Sequence, residues 1–223
     1  MEIKNHTKRV FAPGCAMMLY KPELAEKMHT ILNDNLGGVE MHNTCCKHEP
    51  AFKSETEVIN ICPGCDKRFR NDYQNSKTIS VWEILAESDF FPFPDYKGKT
   101  MTIIDACPTR DQDRIHIAIR KLLEKMNITL VEPASTKIKG ICCGDSFYGM
   151  IPTEDVIVQM KKRASEIPAE DVVVYCISCT KAVFIGGKEP HYVIDLLFGE
   201  DSIPKTLDLD AWHKELDDYI SAH

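Results

Sequence analysis

Residues 171–179 read DVVVYCISC. A β-branched run, Val172 to Val174, leads straight into Cys176, and Cys179 follows three positions later on what the spacing predicts to be the first turn of a helix. The same junction of strand and cysteine recurs at KRVFAPGC (8–15), EVINIC (57–62) and TMTIIDAC (100–107). Between these runs lie stretches of helical period. RIHIAIRKLLEKMN (114–127) has apolar residues at 115, 117, 119, 122, 123 and 126, and EDVIVQMKKRASEI (154–167) is similar. Strands alternating with helices predict an α/β fold with short, mainly parallel sheets built on a Rossmann-like plan. Ligands of such sheets sit beyond the carboxyl ends of the strands, which is where the cysteines fall.

The ten cysteines are ordered. They stand at 15, 45, 46, 62 and 65, then at 107, 142, 143, 176 and 179, so each half carries one cysteine, a Cys-Cys doublet and a Cys-x-x-Cys. The intervals are 29 and 15 residues in the first half and 34 and 32 in the second. The repeat extends further: TISVWEILAES (78–88) matches HYVIDLLFGED (191–201), with Val81-Trp82-Glu83-Ile84-Leu85 aligned on Val193-Ile194-Asp195-Leu196-Leu197. Such self-similarity predicts two duplicated units. FFPFPDYKGK (90–99) reads as the connector, giving units of 1–96 and 97–223, the second carrying the C-terminal helix.

At 223 residues, 43% hydrophobic and 27% charged, the chain can bury a core without disulfide staples. No apolar run reaches a membrane span, the basic polar start lacks the apolar core of a secretory signal, and cytoplasm is expected, where thiols stay reduced. With 34 acidic against 27 basic residues and no basic run, nucleic acid is not an expected partner. The cysteines are therefore expected to do chemistry. A vicinal disulfide in GICCG (140–144) or NTCCKHE (43–49) demands distorted geometry. Zinc is satisfied by four ligands and leaves one of five cysteines idle, whereas a thiolate can bridge two irons.

The second half, with Cys107, Cys142, Cys143, Cys176 and Cys179 and with Gly144 completing CCG, resembles the cysteine-rich CCG domain. Two such domains in tandem are similar to the cluster-bearing catalytic subunit of heterodisulfide reductase. The resemblance implies that each full set binds a noncubane [4Fe–4S] cluster: Cys107, Cys142, Cys143, Cys176 and Cys179 for one, and Cys15, Cys45, Cys46, Cys62 and Cys65 for the other. It also implies a disulfide/thiol oxidoreductase whose catalysts are the clusters themselves. An electron-donating flavin or ferredoxin-type protein and a small disulfide or thiol would be its partners, because the chain has no Gly-x-Gly-x-x-Gly loop of its own. A non-catalytic electron-transfer subunit is the alternative, and a zinc-binding module a third reading. The first copy departs from the pattern: Lys47 replaces the glycine of CCG, a helix is expected to be missing from the shortened interval, and the cluster there can differ in type. Pro108 stands where many relatives carry histidine.

Weaker signals surround the cysteines. His42 and His48 flank the first doublet and can serve cluster sulfurs or simply sit in turns. Lys47, Lys67, Arg68, Arg110 and Lys181 can attract an anion or be solvated loop charge. Met17 and Met18 read as core. LDLDAWHKELDDYISAH (207–223) carries Leu209, Trp212, Leu216 and Tyr219/Ile220 on one stripe, a docking helix expected against its own domain, with oligomerisation as an alternative use.

Overall fold

The computed structural model describes residues 8–223. The first unit runs β1 (Lys8–Ala12), α1 (Cys15–Tyr20), α2 (Pro22–Leu36), β2 (Val39–Met41), β3 (Thr56–Asn60), α3 (Pro63–Asp72), β4 (Ser76–Ser80) and α4 (Val81–Glu87). The second runs β5 (Thr100–Ile104), α5 (Asp113–Lys125), β6 (Thr129–Val131), α6 (Thr153–Ser165), β7 (Asp171–Val174), α7 (Ile177–Ile185), β8 (Glu189–Tyr192) and α8 (Val193–Phe198). A last helix, α9 (Leu209–Ala222), follows.

Each unit holds one four-stranded sheet, ordered β2-β1-β3-β4 and β6-β5-β7-β8. Every pairing is parallel. The four cysteine-terminated runs are the central strands β1, β3, β5 and β7 of these two sheets. In this order the connections after β1 and β3, and after β5 and β7, leave on opposite sides, so a crevice opens at the carboxyl ends of the same strands that precede cysteines. The repeated TISVWEILAES and HYVIDLLFGED stretches each form an outer strand and the short helix that leaves it. Ser80 caps α4: its hydroxyl accepts from the Trp82 amide at 3.2 Å, while Glu83 accepts from the Ser80 amide at 2.8 Å.

Buried side chains from both units form one continuous core, from Phe11, Leu24, Met28 and Trp82 to Ile103, Leu122, Val173 and Leu197. Contacts between the units are reciprocal, with α4 of the first against α5 of the second and α2 of the first against α8 of the second. Ion pairs follow the same exchange. Arg114 on α5 reaches Glu83 and the buried Asp66, the latter at 2.7 Å. Lys21 at the head of α2 reaches the fully buried Asp195 at 2.9 Å, beside Tyr20 at 2.7 Å. Glu83 and Asp195 occupy matched positions of the repeat. The connector is packed rather than free: Phe91 lies 5.1 Å from Phe93 and 5.8 Å from Phe198, centroid to centroid, and Tyr96 donates to the Leu196 carbonyl at 2.9 Å.

The α6 of the second unit has no counterpart in the first, where residues 47–55 cross from the doublet to β3 without a helix. The docking helix α9 reaches further than its own unit. Its first half contacts the second unit, with Asp210 accepting from Tyr148 at 2.8 Å and Thr153 at 3.0 Å. Its second half lies on α1 and the first doublet, where the Ile220 carbonyl meets His48 Nε2 at 2.8 Å and the His223 carbonyl accepts from the Cys45 amide at 3.0 Å.

Candidate functional site

The cysteines are held by three kinds of local structure. Cys15 opens α1, Cys62 and Cys176 are the N-cap residues of α3 and α7, and Cys65 and Cys179 lie one turn inside those helices. Helix N-termini favour anions, and among these cysteines Cys62 is the one held below its ordinary range. Cys107 opens a short 3-10 turn after β5. The doublets lie in loops, with Cys45 and Cys143 buried and Cys46 and Cys142 half-buried. All ten thiols are free.

Within each set the side chains neighbour one another in the same sequence. In the first, Cys15 contacts Cys45, Cys45 contacts Cys46, Cys46 contacts Cys65, and Cys65 contacts Cys62. In the second, Cys107 contacts Cys142, then Cys143, Cys179 and Cys176 follow. The structure thus brings all ten sequence-selected cysteines into two strings of five. Negative charge gathers at particular links. Hydrogen bonding from Cys107 and Cys143, with Ser146 and the Gly144 amide, pushes the Cys142 thiol far down, while the shared proton and burial push Cys107 up. Hydrogen bonding from Cys65 and from the Cys65 and Gly64 amides, working against burial, lowers Cys62 to about 7, and Cys65 lowers Cys46 as well. Cys65 and Cys179 are driven up by their thiol neighbours and by burial, and Cys143 by Cys142 and burial against the opposing bond from Cys179.

Two glycines permit these approaches. Gly14 has φ 85°, and a Cβ there would lie 3.1 Å from both Cys62 Cβ and Cys65 Sγ, so the PGC glycine lets β1 close on the Cys-x-x-Cys helix. Gly144 has φ 115°, and its Cβ would stand 2.8 Å from Met160 Cγ and 3.1 Å from the Met160 amide on α6. The glycine of CCG is therefore a seat for α6. In the first unit, where α6 is missing, Lys47 occupies the position with its ammonium 3.9 Å from Asp217 of α9.

The first string opens into a cleft of about 250 Å3, which Cys176, Pro108 and Tyr192 of the second unit also line. Leu216 and Ile220 of α9 close one side. A second cleft of about 470 Å3 continues past Gly64, Arg68 and Pro108 to Cys107, and it is lined by Lys67 and Arg110. Four of the five candidate cations thus border the two clefts: Lys67, Arg68 and Arg110 at the outer one, and Lys47, 3.9 Å from Asp217, at the first. The fifth does not: Lys181 is buried on α7, its ammonium 5.1 Å from the Trp212 ring and 3.9 Å from Asp145. Burial lowers the Lys181 pKa to about 8 despite Asp145. Met17 is buried and Met18 packs on the core, as the sequence predicts.

Behind Cys107 lies a buried network that the sequence did not announce. Asp105 accepts both Arg120 guanidinium nitrogens at 2.8 Å, the Thr136 hydroxyl at 2.8 Å, the Lys137 amide at 2.7 Å and Tyr175 at 3.0 Å. Tyr175 in turn meets Thr109 in the Cys107 turn at 2.9 Å, and Thr109 meets His116 at 3.1 Å. Burial works against the Asp105 charge, but Arg120 and the amide outweigh it and hold the carboxyl well below the usual range. One buried carboxylate thereby fixes the Cys107 turn relative to the loop leading to the second doublet. Its only advance signal is the position two residues before Cys107, which in the first unit is Pro13.

Among the described residues, no group of three or more His, Cys, Asp or Glu side chains converges as the holder of a single ion.

Residues 101–183 match the family model described as CCG, cysteine-rich domain. That span contains the whole second string, Cys107, Cys142, Cys143, Cys176 and Cys179, together with Gly144 and α6. No curated protein and no solved structure matches the chain. A cysteine-rich domain of this kind is compatible with metal or iron–sulfur binding. No described helix is long and apolar enough to cross a membrane.

Proposed function

We propose that each string of five cysteines binds an iron–sulfur cluster of the noncubane [4Fe–4S] kind, and that the chain is a disulfide/thiol oxidoreductase resembling the catalytic subunit of heterodisulfide reductase. The observation that carries this reading is the identical order of the two strings, with thiols of both units lining one cleft. When bound, the clusters supply one-electron steps and iron atoms able to hold sulfur, which is what a two-electron disulfide couple requires.

The chain's own residues define what reaches that chemistry. At the N-cap of α3, hydrogen bonds from Cys65 and from backbone amides favour the Cys62 thiolate. Ala16, Met17, Ile177, Leu216 and Ile220 give the cleft apolar walls that limit water. Lys67, Arg68 and Arg110 make its outer mouth cationic. Electrons come from a flavin or ferredoxin-type protein, and the working compartment is the reducing cytoplasm.

Anaerobic reconstitution followed by iron and sulfide analysis tests the cofactor: about eight Fe per chain is expected for two such clusters. An iron-free, colourless protein would overturn it. Turnover of small disulfides with an artificial one-electron donor tests the activity. A second reading, an electron-transfer subunit without its own substrate, is favoured by the exposed apolar residues Ile138, Ile141, Phe147 and Met150 on the loop carrying Cys142, a surface suited to a protein partner. Full cluster content with no turnover of any disulfide selects that reading.

A further inference from the structure

The two strings differ in the groups that can hydrogen-bond their sulfurs. In the second, the Ser146 hydroxyl stands 2.9 Å from Cys142 Sγ. Among the described residues the first has no hydroxyl in that role, but a histidine is placed there instead. His42 follows β2 directly and is anchored by its amide to the Phe11 carbonyl at 2.8 Å. Its ring is clamped between Phe52 and Phe69, at centroid distances of 5.3 and 5.9 Å. Nε2 is fully buried and has no hydrogen-bond partner among the described residues. A buried ring nitrogen without a partner is costly, so a native protein is expected to give it one.

The space beside it is bordered by cysteines of the first string. His42 lines a cavity of about 10 Å3 together with Cys15, Cys46, Cys65 and Gly14. This is room for about one water-sized atom, and three of the five first-string cysteines border it. Burial pushes the His42 pKa down. His48, the other histidine of the doublet, is turned away and occupied by the Ile220 carbonyl. The position matching His42 in the second unit, three before the doublet, is the exposed Lys139.

Resting on the proposal that the first string holds an iron–sulfur cluster, we infer that His42 Nε2–H donates a hydrogen bond to a sulfur of that cluster and sets its potential apart from that of the second. His42 is a positioning residue: the five cysteines remain the ligands. Hydrogen bonds to cluster sulfurs stabilise the reduced state and raise the potential.

The test uses the full chain loaded anaerobically with iron and sulfide and grown with 15N-histidine. Pulsed EPR of the reduced protein is expected to show one weakly coupled histidine nitrogen, which disappears in His42→Phe. In a redox titration, His42→Phe is expected to lower one of two midpoints and leave the other in place, with His42→Gln, which keeps an N–H donor, restoring much of the shift. The labelled wild-type spectrum tests the inference even if His42→Phe does not fold. Absence of any histidine coupling, a coupling as large as direct iron ligation, or a signal that survives in His42→Phe would each overturn it. A protein that takes up no iron or sulfide would instead remove the cluster reading beneath it, and iron and sulfide counts distinguish that outcome.

Discussion

The two cysteine doublets have the same neighbours but different covers. Cys142-Cys143 lies beneath α6, whose Met160 presses on Gly144. Cys45-Cys46 has no such helix in its own unit and is covered by α9, which comes from the far end of the chain. The comparison shows that the absent side chain of the CCG glycine serves the covering helix, because the amide at this position reaches a doublet sulfur at 3.4 Å in both units, from Gly144 to Cys142 and from Lys47 to Cys45. Once that helix is lost the glycine is free to change, and a helix from elsewhere can close the site. Sheet order and the order of the sulfurs are common to both units, while the means of shielding them is not.

The comparison can be broken most directly at Gly144. Gly144→Ala places a Cβ at φ 115° against Met160. Left-handed strain and overpacking together should destabilise the chain by about 3 kcal/mol in denaturant unfolding, and protein reconstituted with the proposed clusters should lose iron from the second site ahead of the first. Unchanged stability would mean that α6 is not seated as described.

Acid should separate the units next. Asp105 exists only in the second, and its folded pKa lies below its unfolded value. Its contribution is therefore present above the ordinary aspartate range and lost as pH falls through about 4 and below, on the order of 2 kcal/mol. Unfolding followed against pH should show this loss in the parent protein and not in Asp105→Asn, which begins destabilised. A parallel loss in both proteins would assign the acid sensitivity elsewhere.

A smaller effect is expected at α9. Replacing Leu216 and Ile220 together by Ser opens the wall of the first cleft and, in protein reconstituted with the proposed clusters, should speed chelator removal of iron from the first site roughly tenfold, leaving the second unchanged. Equal acceleration at both sites would show that α9 shields neither selectively. The smallest effect belongs to Lys47→Ala, an exposed residue whose one ion pair is 3.9 Å long, with a change within about 0.5 kcal/mol. A larger loss would give Lys47 a role that its geometry does not show.

The sequence disclosed those parts whose cause is local. β-Branched runs marked β1, β3, β5 and β7, helical period marked α5 and α6, and cysteine order marked both strings. The shortened interval after Cys46 correctly signalled a missing helix. What stayed hidden depends on contacts between distant residues. The stripe on α9 shows that Leu209 and Trp212 must be buried, but amphipathicity does not say against what, and the far half of the helix lies on the other unit. Asp105 looks like any polar residue at a strand end until Arg120, Thr136 and Tyr175 converge on it. Lys181 reads as loop charge beside a cysteine, yet the inward face of α7 carries it under Trp212. The short strands β2 and β6, three residues each, are too brief for any pattern to register.

The reciprocal seam between the units carries one more consequence. With α4 on α5 and α2 on α8, and with Glu83 and Asp195 each receiving a cation from the opposite half, the halves face each other as the subunits of an isologous dimer do. Joining such subunits in one polypeptide makes their association independent of concentration. It also removes the demand that both stay identical, so one half can shed a helix and borrow a replacement while the shared cleft keeps its sulfurs in register.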